Sequence, residues 1–277
     1  MTSDFEYDVF RKGSKTYYYS SLFFPKDTRS DIAKLYSFVR IVDDLVDDKP
    51  QQLDRLNAIT TAYNTKKTAN LNATDTKIVN TVFTLEKKYH FAKDWIPSFL
   101  ESIHMDANNY VYKTESDTLK YIYGSAEVIG LMMSAILGLD KNAYKYAQLQ
   151  GRAMQYINFI RDIDEDIELG RCYFAKNILK KYNIEYWDKT IVNQQDYKQF
   201  VLDQLEKYHT WQTQAEQGWQ YIPKRMRVAV ITAADMYKWT GQQIALNPKI
   251  VFDRKVKPSK TRILARGISS GLSLALF

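Results

Sequence analysis

Apolar residues recur every three or four positions along most of the chain, the spacing of one face of an α-helix. In residues 27–48, Ile32, Leu35 and Val39 belong to one such stripe, and Asp27 before them is a suitable N-cap. The strict alternation of a half-buried strand is nearly absent. The pattern therefore predicts an all-α protein.

The same spacing predicts seven further helices, joined by short polar segments. Prolines fall near their ends, and no Gly/Ser-rich linker, fixed-length repeat or change in composition divides the chain. We therefore expect residues 1–277 to form a single helical domain. The predicted helices span residues 52–68, 74–90, 94–112, 117–138, 141–168, 194–219 and 224–246.

An acidic segment, RIVDDLVDD, ends the first predicted helix. Asp43, Asp44 and Asp47 are spaced so that one helical face can present several carboxylate oxygens to a hard divalent cation, and Arg40 lies one turn earlier. Carboxylates at a helix C-terminus repel one another and oppose the helix dipole. A solvated helix end is the common explanation for such a patch taken alone.

A second polar stripe occurs in QYINFIRDIDED, residues 155–166. Gln155, Asn158, Asp162 and Asp166 follow spacings of three and four and lie among apolar residues. Two acidic stripes on mostly apolar helices are expected to face each other across a cavity. They would share Mg²⁺ with a phosphorylated ligand, whose other oxygens would bind Arg40, Arg161 and Arg171.

These residues carry a resemblance to a known family. DDLVD at 43–47 and NFIRDIDED at 158–166 closely resemble the paired signatures of the squalene and phytoene synthases. The resemblance extends to GSKT at 13–16, YIYG at 121–124 and RCYF at 171–174, and to single residues between and after them.

The resemblance implies an all-α isoprenoid synthase fold with two aspartate-rich helices at the mouth of a central cavity. It also implies a prenyltransferase that joins two prenyl diphosphates head to head with Mg²⁺, or Mn²⁺ in its place, through a cyclopropyl diphosphate.

The metal ligands that it implies are Asp43, Asp44, Asp47, Asn158, Asp162 and Asp166. The catalytic residues that it implies are Tyr36, Arg40, Tyr123, Gln155, Arg161, Tyr173 and Tyr237. The further substrate contacts are Ser14, Lys15, Thr16, Tyr17, Ser21, Ala33 and Arg171. Cationic intermediates need a water-free aromatic pocket, for which the candidates are Tyr17, Tyr36, Phe38, Tyr123, Phe159 and Tyr173.

Two small residues bear on product length. Ala33 is expected on the same helical face as Tyr36 and Asp44, about 16 Å below Asp44. Ser21 and Ala33 stand where thirty-carbon relatives can carry bulky aromatics, which favours two geranylgeranyl diphosphates and phytoene. The alternatives are a dehydrosqualene or squalene synthase that uses farnesyl diphosphate, with NADPH only if it is a reductive squalene synthase. A non-catalytic assembly or membrane-associated relative also stays open.

The sequence departs from the family pattern in two places. Glu127 follows Tyr123 and Gly124 in a segment where the family tends to have small residues. It must be solvent-exposed, ion-paired or beside the cavity. The basic residue that the family places near its C-terminus is either Arg254 or Lys255.

The overall charge of +7 suits an anionic substrate or membrane surface, and no recognition motif supports nucleic-acid binding. With one cysteine, Cys172, and no signal-peptide pattern, a cytoplasmic location is expected, as a monomer or weak homodimer. No apolar stretch is long enough to span a membrane. The basic segment 255–266 and the apolar ISSGLSLALF after it predict a peripheral contact with a membrane.

Overall fold

The structure is a computed structural model that describes residues 4–193 and 196–276. Helices and short helical turns make up its regular structure, and the described residues include no strand. The prediction of an all-α protein is therefore confirmed. The α-helices are α1 (Asp4–Gly13), α2 (Lys15–Ser20), α3 (Lys26–Asp47), α4 (Leu53–Thr65), α5 (Ala73–Tyr89), α6 (Trp95–Ala107), α7 (Glu115–Ile122), α8 (Val128–Ile136), α9 (Tyr144–Arg161), α10 (Ile163–Glu168), α11 (Lys176–Lys181), α12 (Tyr197–Glu216), α13 (Lys224–Leu246), α14 (Ile250–Asp253) and α15 (Lys260–Leu276).

Two predicted helices are interrupted. The helix predicted over 117–138 is α7 and α8 joined by a π-helical turn, Tyr123–Glu127. In that turn Gly124 packs on the backbone of Ser98, where a Cβ atom has no room. The helix predicted over 141–168 is broken at Asp162, whose φ and ψ of −101° and 16° lie outside the helical region.

The apolar side chains form two clusters on either side of a cavity. The first joins α3 to α4, α5, α6 and α8 and includes the fully buried Phe38 and Val42. The second joins α9 to α12 and α13 and includes Phe200 and Tyr208. Because each acidic helix belongs to a different cluster, the packing of the two clusters sets the separation of the acidic groups.

The start of α3 is fixed by a buried carboxylate. Asp31 accepts hydrogen bonds of 2.6 Å from Lys34 Nζ on its own helix and from Lys88 Nζ and the Tyr89 hydroxyl on α5. Burial opposes ionisation, but these donors lower the pKa of Asp31 to about 2. The carboxylate therefore stays charged at neutral pH and links α3 to α5.

None of the described helices is both long enough and apolar enough to cross a bilayer. The predicted cytoplasmic location and weak self-association stay predictions.

Candidate active site

A cavity of about 640 Å³ lies between the two apolar clusters. Its mouth is polar and is formed by the C-terminal part of α3, the junction of α9 with α10, and the segment before α15. Its depth is formed by apolar and small residues of α8, α9 and α13. Most of the site residues predicted from the sequence line it: Ser14, Lys15, Thr16, Tyr17, Ser21, Tyr36, Arg40, Asp43, Asp47, Gln155, Asn158, Arg161, Asp162, Asp166, Arg171, Tyr173 and Tyr237.

One face of α3 forms a wall of the cavity, and two predicted residues lie off that face. Ile32, Tyr36 and Asp43 line the cavity, whereas Ala33 and Asp44 do not. On an α-helix Ala33 and Asp44 are rotated by roughly 80° and 100° from Asp43. The placement of Ala33 at the cavity wall is wrong, since it is fully buried in the core. Asp44 is at the rim, where it forms an ion pair with Arg40.

The second polar stripe lines the cavity from the C-terminal part of α9, across the break at Asp162, to Asp166 in α10. Arg161 binds the carboxylate of Asp162 with both Nε and a terminal nitrogen, at 2.8 and 2.5 Å. Lys255 Nζ lies 3.4 Å from Asp162 and also pairs with Glu165. Burial alone would raise the pKa of Asp162, but Arg161 and Lys255 lower it. Of the two C-terminal basic candidates, Lys255 therefore lines the mouth, and Arg254 does not.

Arg171 connects the two acidic segments. Its guanidinium donates to Asp47 Oδ1 at 2.6 Å and to the backbone oxygen of Val46 at 2.8 Å, both at the end of α3. Its own backbone oxygen accepts a hydrogen bond from Trp187 Nε1 at 3.0 Å. The loop after α10 is thus held against the first acidic helix.

Positive charge does not balance the whole set of carboxylates. Burial and the neighbouring Asp47 raise the pKa of Asp43 to about 8. Burial and Asp162 likewise raise the pKa of Asp166. These carboxylates face like charges in a buried site, an arrangement that a bound cation would stabilise.

The donor set suits a hard divalent ion shared with a ligand. Asn158 Oδ1 is buried at the cavity, with no hydrogen-bond partner among the described residues. Among those residues no three His, Cys, Asp or Glu side chains converge closely enough to enclose an ion. The oxygens instead form two sets on opposite walls, as expected where Mg²⁺ binds one or two carboxylates and completes its coordination with water and phosphate.

Residues at the start of α2 form the side of the mouth that is suited to an anion. Ser14 caps α2 by accepting a hydrogen bond from the backbone nitrogen of Tyr17 at 3.2 Å. The Tyr36 hydroxyl packs on the Cα of Gly13, so a side chain at position 13 would displace it. Lys257, which sequence reasoning missed, also lines the cavity. Burial lowers its pKa, and the neighbouring charges of Lys255 and Arg161 lower it further.

Aromatic rings line the region behind the charged mouth. Phe159 and Tyr173 stack with centroids 4.4 Å apart and planes 9° from parallel. Opposite them, the Tyr237 hydroxyl donates to that of Tyr17 at 2.9 Å, and Tyr36 lies 6.5 Å from Tyr17 between ring centroids. Burial raises the pKa of Tyr17, Tyr36 and Tyr173, so these hydroxyls stay protonated.

Two aromatic residues predicted to wall the cavity lie outside its lining. Phe38 is on the core side of α3 and packs against Phe99, with centroids 5.7 Å apart. Tyr123 turns away, and its hydroxyl donates to Asp94 at 2.7 Å near the surface. Tyr121, two residues earlier on the helix, lines the cavity instead.

Asp106 is a cavity residue that sequence reasoning missed. It is 4% exposed and accepts hydrogen bonds from the hydroxyls of Tyr121 and Tyr173 at 2.7 and 2.8 Å. Burial raises its pKa to about 6. Phe99, Ile103 and Asp106 share one helical face. A single acidic residue on an apolar stripe was the signal that could have identified it.

Glu127 is ion-paired and lies outside the cavity lining. Only 3% exposed, it accepts a hydrogen bond of 2.7 Å from Arg152 Nε and a longer one of 3.4 Å from Gln148. Arg152 also lies over the ring of Trp211, 5.4 Å from its centroid. The pair ties the π-helical turn to α9.

The sequence matches a family model described as squalene/phytoene synthase over residues 10–262. A 15-cis-phytoene synthase of Enterobacter agglomerans is 27% identical over 270 residues, which cover 91% of this chain and 89% of that protein. A 4,4'-diapophytoene synthase of Staphylococcus haemolyticus is 27% identical over 189 residues, 66% of this chain and 65% of that protein.

Among solved structures, that of a dehydrosqualene synthase in complex with a ligand is similar to this one, with a TM-score of 0.81 and 23% identity. The similarity covers 99% of this chain and 96% of that chain. The isoprenoid synthase fold expected from the sequence is thereby confirmed.

We expect Arg152→Met to lower the free energy of unfolding by about 3 kcal/mol, because it leaves the charge of Glu127 buried and unpaired. The double variant Glu127→Met/Arg152→Met should recover most of that loss, since no lone charge remains. Urea unfolding measures both. Lys120→Met is the matched control, because Lys120 pairs with Glu101 on the surface, and it should leave the unfolding midpoint unchanged. Equal loss in the single and double variants would contradict this account of Glu127.

Proposed function

Because the chain belongs to the squalene/phytoene synthase family, we propose that it joins two geranylgeranyl diphosphates head to head and forms phytoene. The reaction releases diphosphate and passes through a cyclopropyl diphosphate. At the coarser level, the chain is a prenyltransferase of the phytoene/squalene synthase type.

The distribution of charge along the cavity is the observation that carries this proposal. Carboxylates and basic groups are concentrated at the mouth, whereas the depth is apolar and aromatic. A prenyl diphosphate has the same polarity, with an anionic head and a long hydrocarbon tail. The head would therefore lie between the acidic helices and the tail would extend into the cavity.

The oxygens at the mouth fit Mg²⁺, with Mn²⁺ as an alternative. Asp43 and Asp47 would bind metal on one wall, and Asn158, Asp162 and Asp166 on the other. When bound, the metal would neutralise charge on the diphosphate and so make it a better leaving group.

The basic residues at the mouth would hold the diphosphate oxygens that remain. Arg40 and Lys257 line the cavity beside the carboxylates, and the start of α2 lies next to them. In the free structure, Arg161 and Lys255 pair with Asp162. If a ligand brought both metal and phosphate, the metal would bind Asp162, and the phosphate would bind Arg161 and Lys255.

The aromatic pair behind the mouth would stabilise the allylic cation that remains when diphosphate leaves. Phe159 and Tyr173 line the cavity with electron-rich rings, and their burial excludes water that would quench the cation. Asp106 would act as a positioning residue, because its hydrogen bonds from Tyr121 and Tyr173 fix the orientation of both rings. The double bond of the second chain would then attack the cation. Loss of a proton from the carbon that had carried the charge, to the released diphosphate, would supply the electron pair that closes the cyclopropane ring.

Small residues in the depth of the cavity favour long substrates. Ser21 lines it, as do Ala147 and Ala233. Ala33 no longer supports the choice, because it does not reach the cavity. Two farnesyl diphosphates are the second candidate, which the similarity to the diapophytoene synthase of Staphylococcus haemolyticus favours. NADPH would be needed only if the product were squalene.

We predict that the purified protein converts geranylgeranyl diphosphate to phytoene with Mg²⁺ and without NADPH, as measured by mass spectrometry of the extracted hydrocarbons. Asp43→Asn and Asp162→Asn should each lower the rate by about 10²–10³-fold, since each removes charge that balances the metal. Asp48→Asn is the matched control, because Asp48 belongs to the same motif but is exposed and lies outside the cavity lining. Its rate should be unchanged.

Each other outcome of that assay rejects a part of the proposal. Hydrocarbon from farnesyl diphosphate only would reject the substrate length and keep the head-to-head reaction. A rate that is unaffected by metal chelation would reject the metal site. No hydrocarbon under any condition would favour the non-catalytic alternative.

Ser21→Phe should shift the preference from geranylgeranyl toward farnesyl diphosphate by about tenfold in kcat/KM, because a ring at this position shortens the space for the tail. Leu22→Phe is the matched control. Leu22 is the next residue, but it is 41% exposed and outside the cavity lining. An equal ratio of kcat/KM values in Ser21→Phe and the unchanged protein would contradict a role for this wall in chain length.

A further inference from the structure

One stripe along the solvent-exposed side of α15 is apolar, and it lies beside exposed polar residues such as Arg262, Arg266 and Ser269. Ile268 and Leu272 are 59% and 62% exposed, and Ala265 precedes them on the same face. The opposite face, with Ile263 and Ser270, is buried against the protein. A surface helix ordinarily places its polar side chains outward. A stripe of exposed aliphatic residues at helical spacing indicates an interaction surface.

This helix runs along the outside of the cavity wall. It packs on α13 in antiparallel fashion, since Arg266 pairs with Asp235 at 2.6 Å while Arg262 lies over the ring of Trp239 at 4.8 Å. The segment just before it, with Lys257 and Pro258, lines the mouth. With its 17 residues, α15 therefore extends about 25 Å from the mouth toward the depth of the cavity.

At one place a single short turn, Ser21–Phe23, separates this helix from the cavity. Ser21 faces the cavity and is 2% exposed, whereas Leu22 faces solvent. The ring of the next residue, Phe23, packs directly on Gly267 of α15, where a Cβ has no room. Leu22 and Ile268 are each one residue away from this contact. The exposed apolar surface thus adjoins the thin part of the wall.

The charge around the apolar stripe suits an anionic surface. From Arg254 to the last residue the sequence has six basic residues and no acidic one. Lys260 and Arg262 are exposed and have no acidic partner among the described residues. Basic side chains beside exposed aliphatic ones match a lipid bilayer, whose anionic head groups lie above its hydrocarbon.

We propose that the outward face of α15 docks on an anionic lipid bilayer, into which the hydrocarbon product is unloaded. The docking stands on the surface itself, and the unloading rests on the proposed function. A long hydrocarbon has no polar atom with which to leave through the charged mouth into water. A bilayer against the thin wall gives it an apolar phase to enter.

The docking is tested with the full chain by co-sedimentation with vesicles of phosphatidylcholine, with and without phosphatidylglycerol. The double variant Ile268→Asp/Leu272→Asp should bind anionic vesicles at least about tenfold more weakly than the unchanged protein. The control Val111→Asp/Tyr186→Asp makes the same change in charge at residues of similar exposure, 51% and 68%, in loops before α7 and after α11. It should bind like the unchanged protein. Lys260→Gln and Arg262→Gln should each weaken binding about fivefold, and only to anionic vesicles.

Two outcomes would overturn the docking. In one, all variants and the unchanged protein bind vesicles equally or fail to bind. In the other, sedimentation velocity without lipid shows an oligomer that Ile268→Asp/Leu272→Asp dissociates, while vesicle binding is unaffected. The surface would then be an interface between two copies of the chain.

The unloading is tested by multiple-turnover hydrocarbon synthesis in vesicles and in detergent. Ile268→Asp/Leu272→Asp should slow turnover about tenfold with vesicles and leave it unchanged in detergent, because detergent accepts product without docking. If the variant and the unchanged protein turned over equally fast with vesicles as well as in detergent, the unloading would be overturned. If neither the unchanged protein nor any variant makes hydrocarbon, but Ile268→Asp/Leu272→Asp still weakens vesicle binding, the proposed function fails and the docking surface stands.

Discussion

Electrostatic repulsion between partly buried carboxylates governs the organisation of this site. Two acidic segments from different apolar clusters place Asp43 and Asp47 opposite Asp162 and Asp166 at one cavity mouth. The protein neutralises part of this charge itself, because Arg161 pairs with Asp162 and Arg171 pairs with Asp47. The negative charge that remains would be stabilised by a cation, in keeping with the proposed binding of a metal together with an anionic ligand.

Arg171 shows how the fold and the site depend on the same contacts. One guanidinium neutralises a carboxylate, binds the backbone at the end of α3 and holds the loop after α10 in place. The buried hydrogen bonds of Asp106 play a comparable part for the aromatic pair. The charged mouth and the aromatic wall behind it are therefore coupled through a few buried polar groups. In the account proposed here, the apolar face of α15 extends this division between charged and apolar regions to the outer surface.

Much of the fold could be predicted from the sequence, because long amphipathic helices carry a strong periodic signal. The acidic stripes were equally visible, since residues spaced by three and four share a helical face. Helical rotation misplaced Ala33: the row through Tyr36 and Asp44 drifts around the helix, and the true face passes through Ile32 and Asp43. Tyr123 was misassigned because only the packed structure shows that Tyr121 takes the cavity side.

Other features could not be read from local patterns. Asp106 matters through hydroxyl groups that are distant in the sequence, so only the folded chain brings them together. Lys257 faces the cavity because the segment before α15 returns to the mouth. The helix α15 was missed because its glycines, serines and outward apolar residues do not give the pattern of an ordinary surface helix.

Calorimetry can measure the binding of an unreactive geranylgeranyl thiodiphosphate to the cavity, with Mg²⁺ and with a chelator. We expect binding about a hundredfold tighter with Mg²⁺, and loss of that gain when either Asp43 or Asp162 is changed to Asn. Equal affinity with and without metal would contradict the conclusion that the two acidic helices hold the substrate through a shared cation.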